Sequence, residues 1–162
     1  MKKRNKRLLL AIGTIISLMV VVGFLYVYLS DPLRVDGVTT YNNEQKQIIL
    51  SVINEGQGNL HLKRVEVNGD HAPQKAELGI SYTLQLVLGG IESSPQAAFM
   101  AIDQQPITPA RKAKDNQDIV KKRLSKPVFY GIRITNGSNV SDVTVTYSYF
   151  GLTKSKRIDI TT

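Results

Sequence analysis

Two hydrophobic periods divide this chain. Leu8 to Leu29 reads LLLAIGTIISLMVVVGFLYVYL, 22 consecutive positions without a charge. A helix of that length reaches about 33 Å at about 1.5 Å per residue. The hydrocarbon core of a bilayer is about 30 Å thick. A soluble helix needs a polar face, and this run has none. The pattern therefore predicts a transmembrane helix over residues 8–30. Tyr26 and Tyr28 stand at its far end, where amphipathic rings settle at the membrane interface. Asp31 and Pro32 then stop the apolar run.

Beyond residue 31 the period changes to two. Val35 to Tyr41 is expected as a first strand after a short linker. In Gln47 to Asn54, Ile48, Leu50 and Val52 share one face, while Ile49 and Ile53 make the other face apolar as well. A strand apolar on both faces belongs inside a sheet. Glu55 to Asn59 is a turn. Leu60 to Asn68 follows, and its apolar parity changes between Leu62 and Val65, which predicts a bulge near Lys63–Arg64. Asn68-Gly69 is a turn signal. Ile80 to Leu88 alternates next, with Tyr82, Leu84, Leu86 and Leu88 on one face. Ala97 to Ile102 has the composition of an edge strand, and Asp118 to Leu124 that of a helical turn or two. Val128 to Thr135, Val143 to Tyr149 and Lys156 to Thr161 complete the set, with turns at Asn136–Asn139 and Gly151.

Seven or eight short strands with β-branched and aromatic residues, and no long amphipathic helix between them, predict an all-β domain. A parallel sheet would need such crossover helices. The expected architecture is an antiparallel immunoglobulin-like β-sandwich over residues 31–162, preceded by a single transmembrane helix. Residues 1–7 form a basic tail.

Charge sharpens this picture. The chain carries 21 Lys and Arg against 13 Asp and Glu, a net of +8. Lys2, Lys3, Arg4, Lys6 and Arg7 supply five of those positive charges, and residues 1–30 contain no acid. Residues 31–162 hold 16 basic and 13 acidic side chains, a net of only +3. The basicity is a property of the tail, so nucleic acid is not an expected partner. A basic flank stays on the cytoplasmic side. The tail is thus expected in the cytoplasm and the β domain outside it, with the bilayer contacted through residues 8–29. A cleaved signal peptide would have a shorter apolar region and a small-x-small cleavage site, and Tyr28 stands where a small residue is wanted.

Candidate chemistry is sparse. There is no cysteine, which excludes disulfides, thiolate metal sites, cysteine nucleophiles and lipoprotein acylation. No G-x-S-x-G, G-x-x-x-x-G-K-[ST], G-x-G-x-x-G or H-E-x-x-H pattern occurs. Asp115 to Asp118 lacks the glycine and distal glutamate of a calcium loop. The two histidines, His61 and His71, have no metal-ligand spacing with Asp70 or Glu66 and are expected at the surface. No cofactor, metal or catalytic residue is expected. Asn136-Gly137-Ser138 and Asn139-Val140-Ser141 match the N-glycosylation pattern, but Asn and Ser are also what a turn demands.

One segment stands out. Arg111, Lys112, Lys114, Lys121, Lys122, Arg123 and Lys126 give seven positive charges against Asp115 and Asp118. The rest of the outer domain is therefore slightly acidic. This segment is the candidate contact for anionic lipid headgroups, an anionic envelope polymer or an acidic protein. A solvated charged loop is the plain alternative.

IILSVINEGQGNLHLKRVEVNG resembles the strand, Asn-x-Gly turn, strand unit of immunoglobulin-like and fibronectin-type sandwiches of bacterial membrane-anchored surface proteins. FYGIRITNGSNVSDVTVTYSY resembles a late hairpin of the same kind of domain. The Cys and Trp hallmarks of antibody-type domains are absent. The resemblance implies a binding or spacing module and brings no site residues with it. The expected function is a non-catalytic interaction module or accessory subunit at the cell envelope, with a protein partner or envelope polymer. The alternative expectation is a ligand-binding or sensory ectodomain for a small molecule or anionic polymer.

Overall fold

The computed structural model describes residues 2–41, 44–82, 97–110 and 129–160. They form two compact units, residues 1–30 and residues 31–162.

The first unit is one helix, α1 (Lys2–Leu29). It includes the basic tail, so the tail continues the helix rather than preceding it. Leu10–Leu29 is a 20-residue run of mean hydropathy 2.5 with none of it buried in the protein, long and apolar enough to cross a membrane. Its polar side chains answer their own backbone. Thr14 Oγ1 donates to the Leu10 carbonyl at 2.9 Å, and Ser30 Oγ donates to Val27 O at 2.8 Å. Such back-bonding removes the need for water. Phe24 and Tyr28, one turn apart, stack with ring centroids 6.2 Å apart.

The described part of the second unit is antiparallel β-sheet. Among the described residues it has eight strands in two sheets: β1 (Leu33–Tyr41), β2 (Glu44–Asn54), β3 (Leu60–Val67), β4 (Lys75–Ser81), β5 (Ala97–Ala101), β6 (Phe129–Thr135), β7 (Asp142–Tyr149) and β8 (Leu152–Asp159). The larger sheet has the order β1-β2-β6-β4-β5 and the smaller one the order β3-β7-β8.

Alternation explains the core. Ile48, Leu50 and Val52 of β2 lie beside Ile134, Ile132 and Tyr130 of β6. Ile132 and Tyr130 in turn face Leu78 and Ile80 of β4. All of these are 5 % exposed or less. In the smaller sheet, Val143, Val145, Tyr147 and Tyr149 bury one face of β7 beside Leu60, Leu62, Val65 and Val67 of β3. Ile49, on the opposite face of β2, is also buried, as expected of a strand with neighbours on both sides.

The predicted bulge is present. The β3–β7 register shifts between Leu62 and Arg64, which lets Leu62 and Val65 both point inward. The Ala97 strand is at the sheet edge, as its composition suggested. Other boundaries differ. The strand expected to start at Ile80 is already formed from Lys75, as β4 (Lys75–Ser81), and the remainder of the expected Ile80–Leu88 stretch, residues 83–88, lies outside the described residues. The alternation of Ala76, Leu78 and Ile80 carries that earlier start, and Gly79 beside Leu78 disguises it. β8 starts at Leu152 rather than Lys156, because its first half is mostly polar and gains its place by pairing with β7. The helical turn expected at Asp118–Leu124 lies outside the described residues.

Register also fixes the two ends of the domain. Leu33 pairs with Asn54, and Leu60 pairs with Tyr149. The start of β1, the β2–β3 turn and the β7–β8 turn therefore share the end at which the chain enters. The β3–β4 and β6–β7 turns are at the far end, tied by Asn68 Nδ2 donating to Asn139 O at 2.8 Å.

Candidate functional site

The entry end is the most elaborated part of the domain. Asn54 closes β2 and is 1 % exposed. Its amide nitrogen donates to Gly58 O and to Ile107 O, both at 2.8 Å, while Oδ1 accepts from Gly56 N at 2.9 Å. A buried amide costs little when each of its groups is paired. Here it folds the turn and pins a distant segment. That segment straps both sheets. Ile107 exchanges backbone hydrogen bonds with Leu60 of β3, Ala110 N donates to Asn54 O at 2.7 Å, and Thr108 Oγ1 lies 2.9 Å from Tyr130 Oη of β6.

Asp31, the second residue after α1, is held from the other sheet. Lys156 Nζ of β8 donates to Asp31 Oδ2 at 2.6 Å and to Leu33 O at 2.7 Å. Tyr147 Oη donates to Asp31 Oδ1 at 3.4 Å. Burial first, and then the Asp31 carboxylate, push the Tyr147 phenol up to about 12, against a backbone hydrogen bond with Leu33 that acts the other way.

The β7–β8 turn completes this end. Tyr149 pairs with Leu152, which leaves Phe150 and Gly151 as a two-residue loop with φ of 46° and 82°. Two positive φ values in a two-residue loop are the type I′ geometry, which favours Asn-Gly. At the far end the pair Asn68-Gly69 has φ of 51° and 85°. Here a phenylalanine takes the asparagine position. Its ring is 61 % exposed, lies edge-on to Tyr149 at 4.7 Å, and covers Gly58.

A second cluster lies on the outer face of the larger sheet. Arg133 of β6 binds Glu77 of β4, with Nε and Nη2 at 3.0 and 2.7 Å from Oε2, and stacks its guanidinium 3.7 Å from the centre of the Phe99 ring. Lys75 Nζ adds a 3.0 Å contact to Glu77 Oε1. Burial raises the Glu77 carboxyl, but hydrogen bonds and charge from Lys75 and Arg133 outweigh it and hold the group below its usual 4.5. The arrangement braces three adjacent strands. It is an ion pair under an aromatic lid.

The sheet edges are guarded. β8 turns Lys154 and Lys156 to the same face as Ile158, and inward lysines on an edge strand oppose pairing with another chain. β1 shifts register at Gly37 and again at Tyr41, β3 carries its bulge, and β5 has five residues.

All seven basic candidates, Arg111, Lys112, Lys114, Lys121, Lys122, Arg123 and Lys126, lie outside the described residues. The described residues that flank them, Ala110 and Phe129, are both at the entry end. His61 and His71 are exposed, as expected. They stand at opposite ends of β3, since His71 bridges Val67. Six strand residues separate them by about 20 Å, so they cannot share one ion. Among the described residues no three His, Cys, Asp or Glu side chains converge. The Asn136 amide donates to Ser138 O at 3.1 Å, and Ser141 N donates to Asn68 Oδ1 at 2.8 Å, which is turn chemistry. The residues that sequence reading missed are Asp31, Lys156 and Phe150. Only Phe150 had a signal, an aromatic residue directly before a turn glycine.

No protein-family model, no curated protein and no solved structure matches this chain.

Proposed function

We propose that this chain is a single-pass membrane protein whose β domain is displayed outside the cytoplasm as a non-catalytic interaction module, an accessory subunit of an assembly at the cell envelope. The observation that carries the reading is the join between the two units. A 20-residue apolar run with no burial ends at Leu29, and β1 begins at Leu33. A helix with no polar stripe and no protein cover suits lipid. Five basic residues before it and no acid in residues 1–30 favour a cytoplasmic N-terminus.

The domain itself we read as an immunoglobulin-like sandwich. Taking β1, β2, β6 and β4 as strands A, B, E and D puts β3, β7 and β8 at C, F and G. Those are the two sheet orders of constant-type immunoglobulin domains, with β5 added beside D. Such a scaffold presents turns to partners, and guarded edges favour the same use here. The side-chain clusters at hand, an ion pair under a phenylalanine and a hydrogen-bonded amide knot, brace strands and turns.

Protease accessibility tests the topology. Protease added to intact protoplasts digests the domain and spares the basic tail. Protection of the domain until the membrane is opened would overturn it. Crosslinking in the membrane followed by capture of the full chain is expected to bring down a discrete protein partner. Capture of the chain alone, together with a ligand-induced rise in melting temperature, would favour a small-molecule receptor instead.

A further inference from the structure

We propose that the β7–β8 turn is a membrane-contact element, and that Phe150 inserts its ring into the interface of the bilayer that α1 spans. The inference rests on the membrane reading of α1 and adds a second point of contact to it.

Three observations carry it. First, the chain leaves no room for a stalk. Ser30, Asp31 and Pro32 separate α1 from β1, so Pro32 lies at most about 11 Å from Leu29. Asp31 is pinned to Lys156, and a Cβ added at Gly56 would touch both Pro32 Cβ and Tyr149 Oη at 2.8 Å. The residue after Tyr149 is Phe150. The aromatic ring therefore belongs to the end of the domain at which the chain enters it.

Second, Phe150 is a poor choice for its backbone. A bulky side chain at φ 46° is strained. The far-end turn that needs a similar φ, 51°, uses Asn68 there. Third, the strain gains little burial, because the ring stays 61 % exposed. It is the one large apolar side chain above half exposure among the described residues of the domain. Lys63 of β3 reaches toward the same turn, its Nζ donating at 2.8 Å to Oγ1 of Thr153, the second residue of β8. An exposed aromatic ring beside a lysine suits the headgroup region, where Tyr26 and Tyr28 of α1 already fall.

The chain contains no tryptophan, so one introduced indole reports alone. The full chain is reconstituted in phosphatidylcholine vesicles whose acyl chains are brominated near the headgroup. Three variants are compared: Phe150→Trp, Tyr28→Trp in α1 and Ser138→Trp at the far end. Phe150→Trp is expected to emit at shorter wavelength than Ser138→Trp and to lose at least half its intensity to the brominated lipid. Ser138→Trp should be unaffected. Quenching of Tyr28→Trp with no quenching of Phe150→Trp would overturn the contact while leaving the anchor standing. No quenching of Tyr28→Trp would overturn both. A nitroxide on Phe150→Cys, unique because the chain has no cysteine, gives a second reading through its accessibility to oxygen over a polar nickel chelate. Preferred access by the nickel chelate would also overturn the proposal.

Discussion

Lys156 Nζ lies 2.6 Å from Asp31 Oδ2 and joins the last strand of the domain to the second residue after the apolar helix. The same ammonium caps Leu33 O, so its two partners weigh differently. Asp31 is 61 % exposed at its side chain, and an exposed ion pair contributes little. Leu33 is fully buried, and the loss of a donor to its carbonyl is more serious. Asp31→Asn should therefore lower stability by no more than about 0.5 kcal/mol. Lys156→Met keeps the stem and should cost about 1–2 kcal/mol. Urea denaturation of the two variants checks the order. A larger loss from Asp31→Asn would mean that the ion pair, not the carbonyl contact, holds the strands.

Tyr147 sits against that same carboxylate and gives the domain an alkaline limb. Its phenol is pushed up to about 12 in the folded chain, against 10.0 when unfolded. The folded state thus holds the proton more tightly. The resulting stability is fully present below pH 10 and is lost as pH rises toward 12. Two units correspond to about 2–3 kcal/mol. Tyr147→Phe removes the titration, so its stability should fall less steeply across that window. Melting temperatures at pH 9, 10 and 11 for both proteins provide the comparison. Parallel curves would remove Tyr147 as the cause.

Much of this fold was legible from period alone. The jump from an unbroken apolar run to alternation at residue 31 separates the two units at the residue where they divide. Leu62, Val65 and Val67 announced the β3 bulge because a one-residue slip is the only way all three reach one face. The entry-end knot was not legible. Asn54-x-Gly56 reads as a turn, but the reach of Asn54 to Ile107 spans 53 positions and follows from topology. Lys156 likewise reads as a polar strand residue, and its partner lies 125 positions away. The start of β4 at Lys75 was missed because Gly79 weakens the alternation that Ala76, Leu78 and Ile80 carry. In the folded sheet Gly79 pairs with Gly131, so the weakness is shared by neighbouring strands and is specific to tertiary structure.

Arg133 supplies two interactions at once, a two-nitrogen grip on Glu77 and a cation over Phe99. Both ends of the pair are about 15 % exposed or less. Arg133→Met should cost about 2–3 kcal/mol, since it leaves a largely desolvated carboxylate with Lys75 alone. Arg133→Lys keeps the charge but not the planar fork, and should recover only part of the loss. The acid limb supplies an independent check. Glu77 is held below 4.5 when folded, so its contribution is present above that pH and fades as pH falls through the folded value. In Arg133→Met that acid-dependent loss should shrink. Titration of stability between pH 6 and 3 measures it, and an unchanged acid limb would place the dependence on another carboxylate.

Two glycines of one turn should respond in opposite ways. A Cβ at Gly56 would stand 2.8 Å from both Pro32 Cβ and Tyr149 Oη. The proline ring is rigid and Tyr149 is 1 % exposed, so neither neighbour can give way cheaply. Gly56→Ala should lose about 1–3 kcal/mol through overpacking. A Cβ at Gly58 would meet the Phe150 ring at 2.7 Å, but that ring is exposed and can swing aside. Neither glycine has a positive φ, so alanine loses nothing to backbone strain at either place. Gly58→Ala also restricts the unfolded chain, which favours folding by about 0.4–1 kcal/mol at a compatible site. Its net effect should lie near zero. Thermal unfolding of both variants, with Phe150→Asn as a third, separates packing from backbone effects. Relief of strain at position 150 should leave Phe150→Asn at least as stable as the parent, and Gly58→Ala in that background should be more stable still, because the ring that it displaces is gone. A Gly58→Ala loss that survives Phe150→Asn would show that the turn, not the ring above it, demands glycine.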